Sequence, residues 1–212
     1  SSLVLTIGFK LLTLSDCLDA WVIGAKSVFL AVIILITAWA LVAACRELQT
    51  ADYMVSITTG LLSPYLVPAL TFIISALVSF STGTSWGTMA LIMPLVVPLT
   101  VGLSQDAGIA DDSAYVLLLA TISGVLSGAV WGDHCSPISD TTIMSSMATG
   151  ADHIDHVRTQ APYALLVGFV GIVVGDLPVA FGMSPWFSLG IGAITLLAVL
   201  FIFGKSAEEA VT

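Results

Sequence analysis

Gly132-Asp133-His134-Cys135-Ser136-Pro137-Ile138-Ser139-Asp140 cuts into a run of residues that is otherwise fit for hydrocarbon. Residues 114–131 before it are apolar and rich in small side chains (Ser123, Gly124, Ser127, Gly128), which suits close helix packing in a membrane. Pro137 removes a backbone donor and disturbs any helix drawn through it. At membrane depth, non-helical backbone survives only where it is buried in protein or lines a wet cavity. The run therefore predicts a crossing helix broken near its end. A second interruption, Ser81-Thr82-Gly83-Thr84-Ser85-Trp86-Gly87-Thr88, lies between apolar Pro64–Phe80 and apolar Met89–Leu103.

Composition sets the class. Hydrophobic residues make up 58% of the 212 positions and charged residues 9%, and the mean hydropathy is +1.07. Soluble domains are about a quarter charged, so this surface belongs in lipid. The chain holds about six segments of spanning or near-spanning length, at roughly 20 residues each. The fold class read from this is an all-α polytopic membrane protein. A net charge of −9 excludes nucleic acid as a partner, because phosphates require basic groups. The three cysteines, Cys17, Cys45 and Cys135, lie far apart and imply no disulfide framework. The sequence opens Ser-Ser with no signal-peptide pattern, and the expectation is a chain preceded by further protein.

Three regions follow from the punctuation. Residues 1–63 hold an N-terminal tail with an interfacial stretch to about residue 25, a scaffold span over 27–45 and an amphipathic connector over 47–60. Residues 64–148 form a transport unit, made of a hairpin (64–103), an acidic loop with Asp106, Asp111 and Asp112, and a broken helix (114–148). Residues 149–212 comprise a polar loop to Gln160 carrying Arg158, spans over about 163–181 and 186–203, and a solvated tail. If the hairpin enters and leaves on one side, Lys10, Lys26, Arg158 and Lys205 share a face opposite Arg46 and the acidic loop. The positive-inside rule then puts the 149–161 loop and the C-terminus in the cytoplasm of a cell-membrane protein.

Asp133 and Asp140 are the sharpest chemical signal. Ionisable residues inside a membrane are costly and mark function. With Ser136, Ser139 and Thr141 they offer the hard oxygens that an alkali-cation or proton-coupled site needs, and Ser81, Thr82, Thr84 and Ser85 add more from the first interruption. The bland alternative makes the aspartates interfacial caps, with Ser139-Asp140 ahead of Thr141 well suited to start a helix. His134, His153 and His156 offer a zinc set without a clear further ligand, and a solvated loop or a pH-responsive rim accounts for the latter two. Asp176, just before Leu177-Pro178, reads as a turn residue near a membrane face, and Trp39, Trp86, Trp131 and Trp186 as packing or interface anchors.

The runs at 81–88 and 132–142, with Asp152-His-Ile-Asp-His-Val-Arg-Thr-Gln-Ala-Pro-Tyr163, resemble the NhaC family of sodium/proton antiporters. That resemblance implies one repeat of an inverted-repeat transporter, with the hairpin tip and the helix break meeting at the ion site. It implies a transporter rather than an enzyme, with no cofactor, whose cargo is Na+ and H+ and whose surroundings are the lipid bilayer and a missing N-terminal repeat, and it leaves room for a homo-oligomer. Two alternatives keep their place: a sodium-coupled carboxylate or amino-acid carrier and, more remotely, an intramembrane metalloenzyme using the histidines.

Overall fold

The computed structural model describes residues 13–49 and 60–204, with Thr6, Phe9, Tyr53 and residues 55–57. Lys10, Lys205 and the tail 205–212 lie outside the described residues, as do the side chains of Trp39, Cys45 and Arg46. Among the described residues there are helices and turns and no strand. Five helical runs are long and apolar enough to cross a membrane: Pro64–Thr82, Ser85–Asp106, Asp111–Cys135, His153–Ala180 and Pro185–Phe203. The chain is an all-α polytopic membrane protein.

Helix α1 (Leu14–Glu47) is a single 34-residue rod, so the interfacial stretch and the span expected over 27–45 are continuous. Thr13 and Asp16 start it by exchanging hydrogen bonds: Asp16 N donates to Thr13 Oγ1 at 3.3 Å and Thr13 N to Asp16 Oδ2 at 3.1 Å. The Thr13 hydroxyl, donating at 2.6 Å, and then its backbone N–H hold the exposed Asp16 carboxyl below its ordinary range. A 3₁₀ turn (Pro64–Leu66) leads into α2 (Val67–Thr82), and α3 (Ser85–Asp106) returns. Then come α4 (Asp111–Cys135), the short α5 (Asp140–Thr149) and α6 (His153–Val170). A π segment (Gly171–Asp176) carries α6 into the single turn α7 (Leu177–Ala180), and α8 (Pro185–Phe203) ends the described chain.

Two expectations change. The polar loop to Gln160 stops at Asp152, whose Oδ1 accepts from Ile154 N at 2.9 Å and Asp155 N at 3.1 Å and so starts α6 eight residues early. Asp176 is not in a turn but inside the helical run His153–Ala180, at the end of its π segment.

The centre of the fold is the parallel pair α2 and α4. Gly124, Gly128 and Gly132 recur every four residues and so share one face of α4. A Cβ on them would strike the carbonyls of Pro68, Phe72 and Ala76, so the two backbones touch where only glycine fits. Antiparallel α3 completes a three-helix unit, with Thr100 Oγ1 3.3 Å from Thr121 Oγ1 on α4. Inside this unit the fully buried residues include Ser75, Ser79, Thr88, Thr100, Ser104 and Thr121, while Ile73, Leu77, Leu119 and Val130 face outward. That distribution is inverted relative to a soluble protein. Lipid is as apolar as leucine, so burial follows side-chain size, and the hydroxyls of Ser79, Thr88, Thr100 and Thr121 donate to helix carbonyls. Apolar contacts concentrate at the acidic-loop end, where Val67, Leu99 and Leu103 cluster with Val55 and Leu62.

All three helices of the unit have one end near Asp106–Asp111 and the other near the two interruptions. Tyr65 stacks on Phe181 at 5.1 Å, which brings the α7–α8 turn to the acidic-loop end. Helix α8 then runs back, and Ser188 is its sole buried residue, bonded to the Val174 carbonyl.

Candidate ion site at two helix breaks

The first interruption shrinks to two residues. Helix α2 runs through Thr82, Gly83 stops it with φ 68°, and Thr84 starts α3 by accepting from Gly87 N at 3.3 Å. Gly83 is needed twice over. Its positive φ favours glycine, and a Cβ there would come within 2.8 Å of the Ile138 carbonyl oxygen.

The second interruption is also short. Asp133 lies in the last turn of α4 rather than in the break, and the non-helical residues are 136–139. Ser136 N donates to the Asp133 carbonyl at 3.1 Å, and Ser139 caps α5 by accepting from Thr141 N at 3.3 Å. The two interruptions are packed together. Ser136 Oγ donates to the Phe80 carbonyl across the gap at 2.7 Å, beside the Gly83–Ile138 contact.

Asp133 sits at this junction with 9% of its surface exposed. Its Oδ1 accepts from Ser139 Oγ at 2.7 Å and its Oδ2 from Ser85 Oγ at 3.2 Å, so each interruption supplies one hydroxyl. Ser139 has one proton and gives it to the carboxylate. The 2.8 Å contact between Thr141 and Ser139 therefore has Thr141 donating. The result is an ordered chain, Thr141 to Ser139 to Asp133, that begins at an exposed residue and ends at the buried carboxylate. Around it the N-termini of α3 and α5 meet the C-termini of α2 and α4. Positive and negative helix ends thus face one another across the site, the arrangement by which broken helices bind ions.

The other candidates are placed differently. Ser81 and Thr82 are exposed and donate to their own helix, to the Leu77 and Val78 carbonyls, each at 2.8 Å. Asp140 is exposed in the first turn of α5, where a negative charge complements the helix dipole. His134 contributes its backbone carbonyl, which accepts from Thr142 Oγ1 at 3.1 Å and Gln160 Nε2 at 3.0 Å. His153 and His156 contact Pro137, Ser146 and Ser145, and no three His, Cys, Asp or Glu side chains converge on a metal-sized site among the described residues. Trp86 and Trp186 are exposed, whereas Trp131 is half-buried and donates to the Ala164 carbonyl at 2.7 Å, pinning α4 to α6. Gln160 escaped sequence reading. The signal was present as a polar face at His153, His156 and Gln160, spaced three and then four apart.

A separate cavity of about 980 Å³ opens at the acidic-loop end, lined by Tyr65, Asp112, Asp176 and Ser188 among others. It does not reach Asp133.

The model for the Na+/H+ antiporter family matches residues 1–175. An uncharacterised protein of Haemophilus influenzae is 36% identical over 204 residues, 96% of this chain and 37% of that protein. An arginine/ornithine antiporter, ArcD, of Halobacterium salinarum is 39% identical over 54 residues, 26% of the chain and 11% of the relative. An uncharacterised Na(+)/H(+) antiporter of Haemophilus influenzae is 40% identical over 62 residues, 27% of the chain and 13% of the relative. The chain thus spans little more than a third of the first of these relatives. No solved structure matches it.

Proposed function

From the premise that this chain belongs to the Na+/H+ antiporter family, we propose that it carries the ion site of a sodium/proton exchanger in a cell membrane, with Asp133 as the exchanging carboxylate. The observation that supports this most directly is a buried carboxylate gripped by hydroxyls from two different helix breaks. On this reading a cation and a proton compete for the one carboxylate. One Na+ arriving releases one H+, and one H+ arriving releases one Na+. Ser85 and Ser139 are neutral oxygens already within reach of the same carboxylate, and Ser136, Thr84 and Thr141 surround them. The hydroxyl chain from Thr141 gives protons a path from the surface. Exchange requires the site to open to one side at a time, and the rest of the protein, an inverted repeat outside this chain, supplies the scaffold for that movement. In vesicles holding the whole protein, sodium should drive proton movement, and Asp133→Asn should abolish the coupling. Undiminished exchange in Asp133→Asn would sink the assignment.

The match to ArcD supports a second reading, an amino-acid exchanger whose cationic cargo pairs with Asp133. Driving force separates the two: a sodium gradient should move protons on the first reading, whereas on the second it should move none and arginine should exchange against ornithine.

A further inference from the structure

Helix α6 turns one polar face toward the second break. His153, His156 and Gln160 lie three and four residues apart, on one side of the helix. His153 Nε2 is 2.6 Å from the Pro137 carbonyl oxygen, and its Nδ1 is 3.1 Å from Ser146 Oγ. His156 Nε2 is 3.3 Å from Ser145 Oγ on α5. Gln160 Nε2 donates to the His134 carbonyl at 3.0 Å, at the frayed end of α4.

The chemistry of these contacts is constrained. A carbonyl only accepts, so His153 must carry a proton on Nε2. The last carbonyls of a helix have no partner within it. Gln160, with Thr142 at 3.1 Å, satisfies that of His134. The stretch between the two gripped carbonyls contains Ser136, and Ser139 follows just beyond Pro137. On its other side the break is held to α2 by Ser136 and by the Gly83 contact. Side chains of α6 thus fix one flank of a four-residue segment whose other flank faces the hairpin tip. None of the α6 contacts is with Asp133 itself.

The geometry points to His153 and Gln160 as positioning residues for the exchange site: α6 clamps the break from outside, so that Ser139 meets Asp133 and the cation finds its oxygens in place. This rests on the reading of Asp133 as the exchange site. The clamp's effect should appear in cation affinity rather than in turnover, because the residues touch neither ion nor carboxylate.

Two amides dissect the histidine. Glutamine at 153 carries an N–H where Nε2 sits and retains the Pro137 contact, while asparagine reaches only as far as Nδ1 and loses it. In whole-protein vesicles, His153→Gln should keep the apparent KM for sodium within about twofold, whereas His153→Asn and Gln160→Leu should raise it about fivefold or more, at near-unchanged maximal rate, as expected for loss of one hydrogen bond that orders a site. Amide hydrogen exchange over 136–142 gives a readout independent of transport, and it should quicken in His153→Asn and not in His153→Gln. Equal KM and equal exchange in the two variants would overturn the clamp. If the wild type moves no protons with sodium, the exchanger reading falls, and the hydrogen-exchange comparison still decides whether α6 holds the break.

Discussion

Asp133 and Asp140 stand seven residues apart with the same charge, and their surroundings separate them. Asp133 is enclosed and bonded at both oxygens, whereas Asp140 is exposed on the first turn of α5. A charge at an exposed helix N-terminus contributes about 0.3–1 kcal/mol. Asp140→Asn should therefore leave sodium-driven proton flux within about twofold, in contrast to the loss expected for Asp133→Asn, and an equal loss in both would return Asp140 to the site. Ser85 offers a cleaner test of the oxygens than Ser139, which also caps α5. Hydrogen bonds to charged groups contribute about 1.5–3 kcal/mol, so Ser85→Ala should change the sodium KM by roughly tenfold with little change in melting temperature. At this scale the two breaks were legible in the sequence, and which acid is enclosed was not. Paired acids around a proline announce a break, but enclosure depends on which helix face each residue occupies, and seven residues are nearly two whole turns only while the helix continues. It stops at Cys135, so Asp140 restarts on a new axis.

The elements were legible wherever apolar length decided them, and their ends were legible where caps did. Ser139 before α5 and Gly83 after α2 follow the usual rules. The start of α6 was missed because Asp152, His153 and Asp155 look like solvent-facing loop, although Asp152 is a good N-cap. The histidines of that turn meet two hydroxyl-bearing residues of α5 and one carbonyl of the break. The α2–α4 seam was announced by small residues at four-residue spacing, but its partner helix was not. Gly128→Val would drive a side chain into the Phe72 carbonyl. It should lower the melting temperature in detergent markedly, since overpacking a tight seam costs about 1–3 kcal/mol. Gly190→Ala on α8, where a Cβ meets nothing within 4 Å, should be neutral or stabilising. Equal effects would mean that the seam is not tight.

For the molecule as a whole, the ordering of ends is the strongest constraint. Helices α2 and α4 rise together from the acidic-loop end, α3 returns beside them, and the run α6–α7 descends to the Tyr65–Phe181 contact before α8 goes back up. The α5–α6 turn and the end of α8 therefore share one face, and Asp106, Asp111 and Asp112 share the other. Arg158 is near the first face and the carboxylates near the second. Basic residues favour the cytoplasmic side, so the α5–α6 turn should be cytoplasmic and the acidic loop external. Whether 64–103 turns inside the membrane or crosses it twice was not legible in the sequence, because both return the chain to the same side. The span lengths of Pro64–Thr82 and Ser85–Asp106 favour two crossings. In a variant with the native cysteines replaced, Ala151→Cys and Ala110→Cys test the arrangement, since both positions are exposed. A membrane-impermeant maleimide should label Ala110→Cys in intact cells and Ala151→Cys only in inverted vesicles. Labelling of both from one side would refute the opposed faces.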